Sequence, residues 1–202
     1  MKKIILLATL VFFGATVSAQ NKNDKKVKTP LEKLSLNGLK FRSVGPALTA
    51  GRIADIAVNP NNSKNYYVAV ASGGVWKTNN NGNTYNPIFD SQGSYSIGCV
   101  TIDPNNEHVI WVGTGENNNQ RSVAYGDGVY KSLDGGKTWN NMGLKSSEHI
   151  GMIVVDPNNS NKVYVAAYGP LWKKGGERGL YLTEKGGKDW RLILKTDENT
   201  GV

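Results

Sequence analysis

The sequence predicts an all-β protein, a β-propeller of four-stranded antiparallel blades with about three blades present. Three observations predict it. The stretch Ser132 to Trp139, SLDGGKTW, recurs twice in decayed form. An Asn/Asp-Pro turn follows an apolar strand three times, at Asn59-Pro60, Asp103-Pro104 and Asp156-Pro157. Short runs rich in Val, Ile, Tyr and Trp lie between these turns, as strands bounded by turn residues do.

SLDGGKTW fits the pattern S-x-D-x-G-x-x-W, and each fixed place has a physical task in a tight hairpin. Ser132 opens the turn, and Asp134 accepts hydrogen bonds from backbone N–H groups within it. Gly135 and Gly136 supply the positive φ that such a turn demands. Trp139 begins the returning strand, brings a large apolar face into the packing and needs an acceptor for its indole N–H. The upstream copy, TNNNGNTY, has Asn80, Gly82 and Tyr85 in the Asp, Gly and Trp places. The downstream copy, TEKGGKDW, keeps Gly186, Gly187 and Trp190 but puts Lys185 where the acceptor belongs. A lysine accepts no hydrogen bond, so the third turn is expected to be held by its glycines and tryptophan alone.

From the N-terminus, residues 1–19 read as a signal peptide. Lys2 and Lys3 form the positive start, Ile4 to Phe13 the apolar centre and Val17-Ser18-Ala19 the small-residue exit before Gln20. That implies a secreted, periplasmic or cell-surface protein. Residues 20–30 have the polar, lysine-rich composition of a linker, and residues 31–202 form the partial propeller. Its blades are expected at about 51–90, 96–143 and 149–195, with a fourth starting at about 201–202. The chain has 39% hydrophobic and 20% charged residues, ordinary for a globular protein. Of the net charge of +8, residues 1–30 carry +5, from six lysines and Asp24, which leaves +3 for the rest. No basic stripe with interleaved aromatics appears, so nucleic acid is excluded as a partner. Cys99, the only cysteine, has no intrachain partner and lies in an apolar strand, as a small buried hydrophobe does.

The strands follow in a regular order. RIADIAV, GCVTI and GMIVV run into the proline turns. YYVAVA, VIWVGT and VYVAAY form second strands, and GVWKT, GVYKS and GLYLT form third strands. Fourth strands are expected to begin at Tyr85, Trp139 and Trp190. From the proline turn to the box the distances are 18 residues (60 to 78), 28 (104 to 132) and 26 (157 to 183), whereas box to next proline turn is 26 (78 to 104) and 25 (132 to 157). All the extra length therefore falls between second and third strands.

Hairpins of an up-and-down sheet alternate ends. The proline turns and box turns thus share one end, and the inserts 115–127 and 169–179 stand together on the other. Long loops on a rigid scaffold are where binding concentrates. The candidate binding residues are Arg121 and Tyr125 on the first insert, Trp172 and Arg178 on the second, and the carboxylates Glu116 and Asp127 that flank the first. His108 and His149 sit far apart in the repeat, and the Asp-Pro-Asn-Asn turns lack the dense oxygen spacing of a calcium loop, so neither a metal nor a cofactor is expected. The next proline turn is due near position 208, past Val202. Three blades cannot close a ring, so the chain is expected to be the N-terminal piece of a longer protein, truncated at its C-terminus, whose remaining blades are its partners.

SLDGGKTW and its two copies resemble the Asp-box, or bacterial neuraminidase repeat, of sialidases, xyloglucanases and sortilin-type receptors. FRSVGP, GRIADIAVNP, SGGVWKT, VGTGE and GDGVYKSLDGGKTW are most similar to the sortilin-type N-terminal propellers of exported bacterial proteins often labelled glycosyl hydrolases. The resemblance covers nearly all of residues 40–195. It implies a propeller that recognises a peptide, protein or glycan through loops on one face. The alternative it implies is a xyloglucanase- or sialidase-like glycoside hydrolase whose acids lie in the missing blades. Two departures count against catalysis within these residues. Phe41-Arg42 is similar to the sialidase arginine motif, but Ser43-Val44 breaks it. Where the xyloglucanase pattern places a catalytic Asp, two residues before Gly73-Gly74, this chain has Ala71, which can serve neither as nucleophile nor as acid or base. No catalytic residue is assigned.

Overall fold

The computed structural model describes residues 51–117 and 123–202, which fall in one compact unit. The expected signal peptide and linker, Arg42 and Arg121 lie outside the described residues. Among the described residues twelve strands form three antiparallel sheets, each with its strands in chain order. The first sheet holds β1 (Ile53–Val58), β2 (Tyr66–Val70), β3 (Gly74–Thr78) and β4 (Asn86–Pro87). The second holds β5 (Ile97–Asp103), β6 (Asn106–Thr114), β7 (Val129–Ser132) and β8 (Asn140–Gly143). A 3₁₀ turn, Lys145–Ser147, leads to the third: β9 (Ile150–Asp156), β10 (Asn159–Ala167), β11 (Gly179–Thr183) and β12 (Arg191–Leu194). Each fourth strand starts one residue after the aromatic that closes the box. That aromatic packs across to the preceding sheet or onto its own, and pairing begins only beyond it.

The first strands of successive sheets lie beside one another, β1 against β5 and β5 against β9. Side chains stitch them together: the Val100 amide donates to Asp55 Oδ2 at 3.0 Å, and Thr101 Oγ1 donates to the Ile153 carbonyl at 2.8 Å. The sheets radiate from this inner row as the blades of a β-propeller do.

Alternation along the strands of the second sheet feeds two cores. In β6, Ile110 and Val112 join Tyr67, Val75, Phe89 and Tyr130 between the first and second sheets. Val109 and Trp111, one place out of phase, join Val163, Val165 and Ile153 between the second and third. Because both faces are covered, the strand reads as a continuous apolar run. A register shift between Ile97 and Cys99 turns the Cys99 side chain toward the second core, where burial pushes its thiol up to about 12. The outward faces of the flanking sheets stay open. Ile53, Ile56 and Val58 on β1 and Met152 and Val154 on β9 are exposed.

Candidate functional site

The two ends of the blades differ in how their polar groups are used. At one end, box turns and proline turns meet: the Gly135 amide donates to the His108 carbonyl at 2.8 Å and Gly186 to Asn161 at 2.9 Å. Within the second box, Ser132 Oγ accepts from the Gly136 amide at 2.8 Å and donates to Asp134 Oδ1 at 2.8 Å. Asp134 also accepts from the Lys137 and Thr138 amides at 3.0 and 2.9 Å and from the Thr138 hydroxyl at 2.6 Å. The Thr138 hydroxyl and amide, with the Ser132 hydroxyl, hold this carboxyl well below the usual carboxylate range. Gly135 and Gly136 have φ of 71° and 90°, a pair of left-handed conformations that glycine adopts without steric cost.

The first box repeats this design in neutral form, with Asn80 Oδ1 accepting from the Thr84 amide at 3.0 Å and the Thr78 hydroxyl accepting from Gly82 at 3.0 Å. The third box corrects the expectation that glycines and tryptophan alone hold it. The Thr183 hydroxyl accepts from the amides of Lys185 and Gly187, each at 3.1 Å. Lys185 Nζ donates to Asp189 Oδ2 at 2.7 Å. Asp189 occupies the place of Thr138, so the charge has moved to the other end of the same four-residue span.

The second and third boxes are also fastened to the sheet before them. Trp139 Nε1 donates to the Ile88 carbonyl at 2.8 Å, and Trp190 Nε1 to the Met142 carbonyl at 2.7 Å. Lys77 and Lys131, at matching places on β3 and β7, reach forward to the carbonyls of Gly135 and Gly186 at 3.0 and 3.1 Å. The box end is therefore a latch between blades.

The opposite end carries the inserts. Arg52, Ser96 and His149 occupy equivalent places immediately before β1, β5 and β9. Their carbonyls accept from Ala71, Gly115 and Tyr168, the equivalent residues after the second strands, at 2.9, 2.8 and 3.0 Å. Glu116 joins all three. Its carboxylate pairs with Arg52, its amide donates to Ser96 Oγ at 2.9 Å, and its carbonyl lies 2.7 Å from His149 Nδ1. A carbonyl only accepts, so Nδ1 carries the proton and Nε2 keeps its lone pair. Burial, reinforced by the Arg178 charge and opposed by Glu148, lowers the proton affinity of His149 and so favours its neutral form. Gly115 makes this geometry accessible: its φ is 86°, and a Cβ there would fall on the Glu148 carbonyl.

The inserts meet at Glu148. Its carbonyl accepts from the Gly126 amide at 2.8 Å, and its carboxylate pairs with Lys173 at 2.5 Å. Tyr125, on the first insert, is 55% exposed, with its ring 5.7 Å from that of His149. Trp172, on the second, is 62% exposed. Arg178 is buried and donates its guanidinium to the carbonyls of Tyr168, Pro170, Lys173 and Gly175 of its own loop and, at 3.4 Å, to that of Asn199. It is the post around which the second insert folds. Asp127 accepts from the Tyr130 hydroxyl and from Thr114 Oγ1 at the base of the first insert, so it and Glu116 answer to different partners.

Sequence reasoning passed over Tyr95 and Arg52 here and weighed His149 only as a metal ligand. Tyr95, 63% exposed, precedes Ser96, and the Ser94 and Ser96 hydroxyls donate to the Tyr125 and Ala124 carbonyls at 2.9 Å, placing Tyr95 beside the first insert. Arg52 and His149 were legible only as strand-entry positions; their equivalence to Ser96 was available from the repeat alignment, but their convergence on Glu116 was not.

No family profile matches the chain, and no curated protein does. Solved structures do. An ancestral GH74 enzyme is 24% identical with a TM-score of 0.57, over 72% of this chain and 19% of its own. YCF48 bound to D1 peptide is 13% identical with a TM-score of 0.51, over 75% and 43%. An auxiliary nutrient binding protein from Bacteroides thetaiotaomicron is 13% identical with a TM-score of 0.51, over 74% and 32%. The chain thus spans about a fifth to under half of these proteins. At such identities the likeness establishes the fold, three blades of a β-propeller.

Proposed function

We propose that the protein is an exported, envelope-associated or secreted propeller that recognises a glycan, peptide or protein through its insert-bearing end. In this reading residues 1–19 are the export signal, 20–30 a linker, and the boxes are the Asp-boxes of a sortilin-type propeller. The observation that carries it is the exposure of three aromatics, Tyr95, Tyr125 and Trp172, on the end where the strand-entry residues converge. Exposed Tyr and Trp on a rigid frame supply contact area at small entropic cost and anchor binding surfaces. The likeness to a nutrient-binding protein and to a peptide-bound one agrees with ligand recognition.

A second reading, a glycoside hydrolase whose acids come from other blades, draws on the likeness to a GH74 enzyme. Ala71, buried at the end of the second strand, offers no catalytic group. The test is a glycan and peptide array probed with the protein and with Trp172→Ala. A defined ligand class retained by the protein and lost by the variant supports recognition. Hydrolysis of an arrayed glycan supports the second reading.

A further inference from the structure

The outward faces of the first and third sheets are built from the same positions that are buried between sheets. Ile56 stands four residues before the proline of its turn, as Val100 and Ile153 do. Val100 and Ile153, each covered by the preceding sheet, are 3% exposed, whereas Ile56 is 52% exposed. On the other flank Met152 is 60% exposed, where its equivalent Cys99 is 4% exposed. Contiguous apolar surface of this kind marks an interaction site.

The two faces complement each other as consecutive sheets do. Tyr67 packs against Val112 of the next sheet, and Trp111 against Val165. Their equivalent on the third sheet is Tyr164, half-buried on the open face. The equivalent of Val112 and Val165 on the first sheet is Val68, which lines an apolar hollow of about 350 Å³ with Ile53, Val70, Trp76 and Tyr85. The polar contacts match as well. The indoles of Trp139 and Trp190 donate to the carbonyls of Ile88 and Met142, each three residues after the preceding box aromatic. Ile193 is next in that series, and a register shift leaves it unpaired between Leu192 and Leu194 as Met142 is between Asn141 and Gly143. The first sheet holds a donor for it. The Tyr66 and Tyr85 hydroxyls lie 2.7 Å apart, so one donates to the other and the second O–H is left to donate onward.

We propose that the outward face of the third sheet binds the outward face of the first sheet in a second copy of this chain, Tyr164 entering the hollow beside Val68 and the Ile193 carbonyl accepting from the Tyr66–Tyr85 pair. A head-to-tail contact closes into a ring when its rotation completes a turn. Propellers close with about four to eight blades. Two copies bring twice three sheets, which falls in that range, and three copies exceed it. The assembly is therefore a dimer joined at two identical contacts, with both insert-bearing ends on one face of the ring. Two recognition surfaces held side by side strengthen binding to a repetitive ligand without any new contact.

The test is the mass of the purified protein in solution, by sedimentation velocity across a concentration series, with Ile56→Asp and Met152→Lys. Val100 bonds Asp55 across the first and second sheets, and these are the equivalents of Ile56 and Met152, so the two substituted residues face each other in the ring. The protein is expected at twice the mass of the chain. Each variant places an unpaired charge in both contacts and is expected to be monomeric, its dissociation constant raised at least about a hundredfold. An equimolar mixture of the two is expected to dimerise again, since one contact is then unaltered and the other pairs aspartate with lysine. Should either charged variant lose its folded circular dichroism spectrum, Ile56→Thr and Met152→Thr suit a strand and are expected to weaken the dimer by about tenfold. A dimer that only one of the two variants dissociates joins like faces and overturns the proposal. A ladder of larger species overturns the closed ring. A protein that stays monomeric throughout the series overturns the pairing and leaves both faces to sheets of another kind.

Discussion

The two ends of the blades spend similar side chains in opposite ways. At the box end, Ser132, Asp134 and Thr138 close their hydrogen bonds on one another and on their own turn. The indoles and lysines there bond the neighbouring sheet. At the insert-bearing end, Glu116 and His149 bond three strand entries and still keep one acceptor each. The difference teaches where to look in a repeat. A motif that recurs is one whose chemistry is satisfied within each copy, and a position that departs from its equivalents, as Glu116 does from Ser72 and Gly169, is free to serve something else.

The largest effect expected at the box end comes from Trp139→Ala. It deletes an indole that bonds Ile88 and meets Phe89 edge-on at 5.1 Å, and should lower unfolding stability by about 3 kcal/mol in denaturant titration. Ligand affinity should not change; a parallel loss of binding would break the division of labour between the ends. Lys131→Met should cost less, about 1 kcal/mol. It removes the bond to the Gly186 carbonyl, while the apolar stem still covers the Trp111 ring that the ammonium approaches to 4.6 Å. The third sheet already has Leu182 at this place, so an unchanged melting curve would show that the lysine latch is dispensable.

The smallest effect concerns the acid range. Asp134 is held below its ordinary carboxylate range, so the folded state binds fewer protons than the unfolded chain. Its contribution is fully present above the unfolded value of about 4 and fades as the pH falls below it. Asp134→Asn imitates the first box, where Asn80 does the same work without charge. The gap in melting temperature between protein and variant should be widest near neutrality and shrink below about pH 4. A constant gap would mean that charge plays no part in the turn.

Much of the fold was legible because its signals are local. Proline turns, glycine turns and second strands apolar on consecutive residues each report their own geometry, and the spacing of the repeat reports which loops are long. The third box was misread because the acceptor was sought at one place. The side chains four residues apart bond each other in either order, Asp134 with Thr138 and Lys185 with Asp189, and the turn amides of the third box are taken by the Thr183 hydroxyl instead of a carboxylate. The candidate site was legible only in outline. Loop length marked the inserts, and Tyr125 and Trp172 stand out on them as aromatics do. That Arg178 is a buried loop post, and that Arg52, Ser96 and His149 meet at Glu116, depends on contacts between blades, which no single repeat encodes.

The most direct test of the account compares one residue from each end in the same binding titration against the ligand that the array identifies. Trp172→Ala and Tyr125→Ala should each weaken binding by more than about 1 kcal/mol with the melting temperature unchanged. Asn105→Ala, which removes a 3.1 Å bond to the Asp156 carbonyl at the box end, should leave affinity as it was. If Asn105→Ala abolishes binding while both aromatic variants bind as the parent does, the recognition surface is at the box end and the account is wrong.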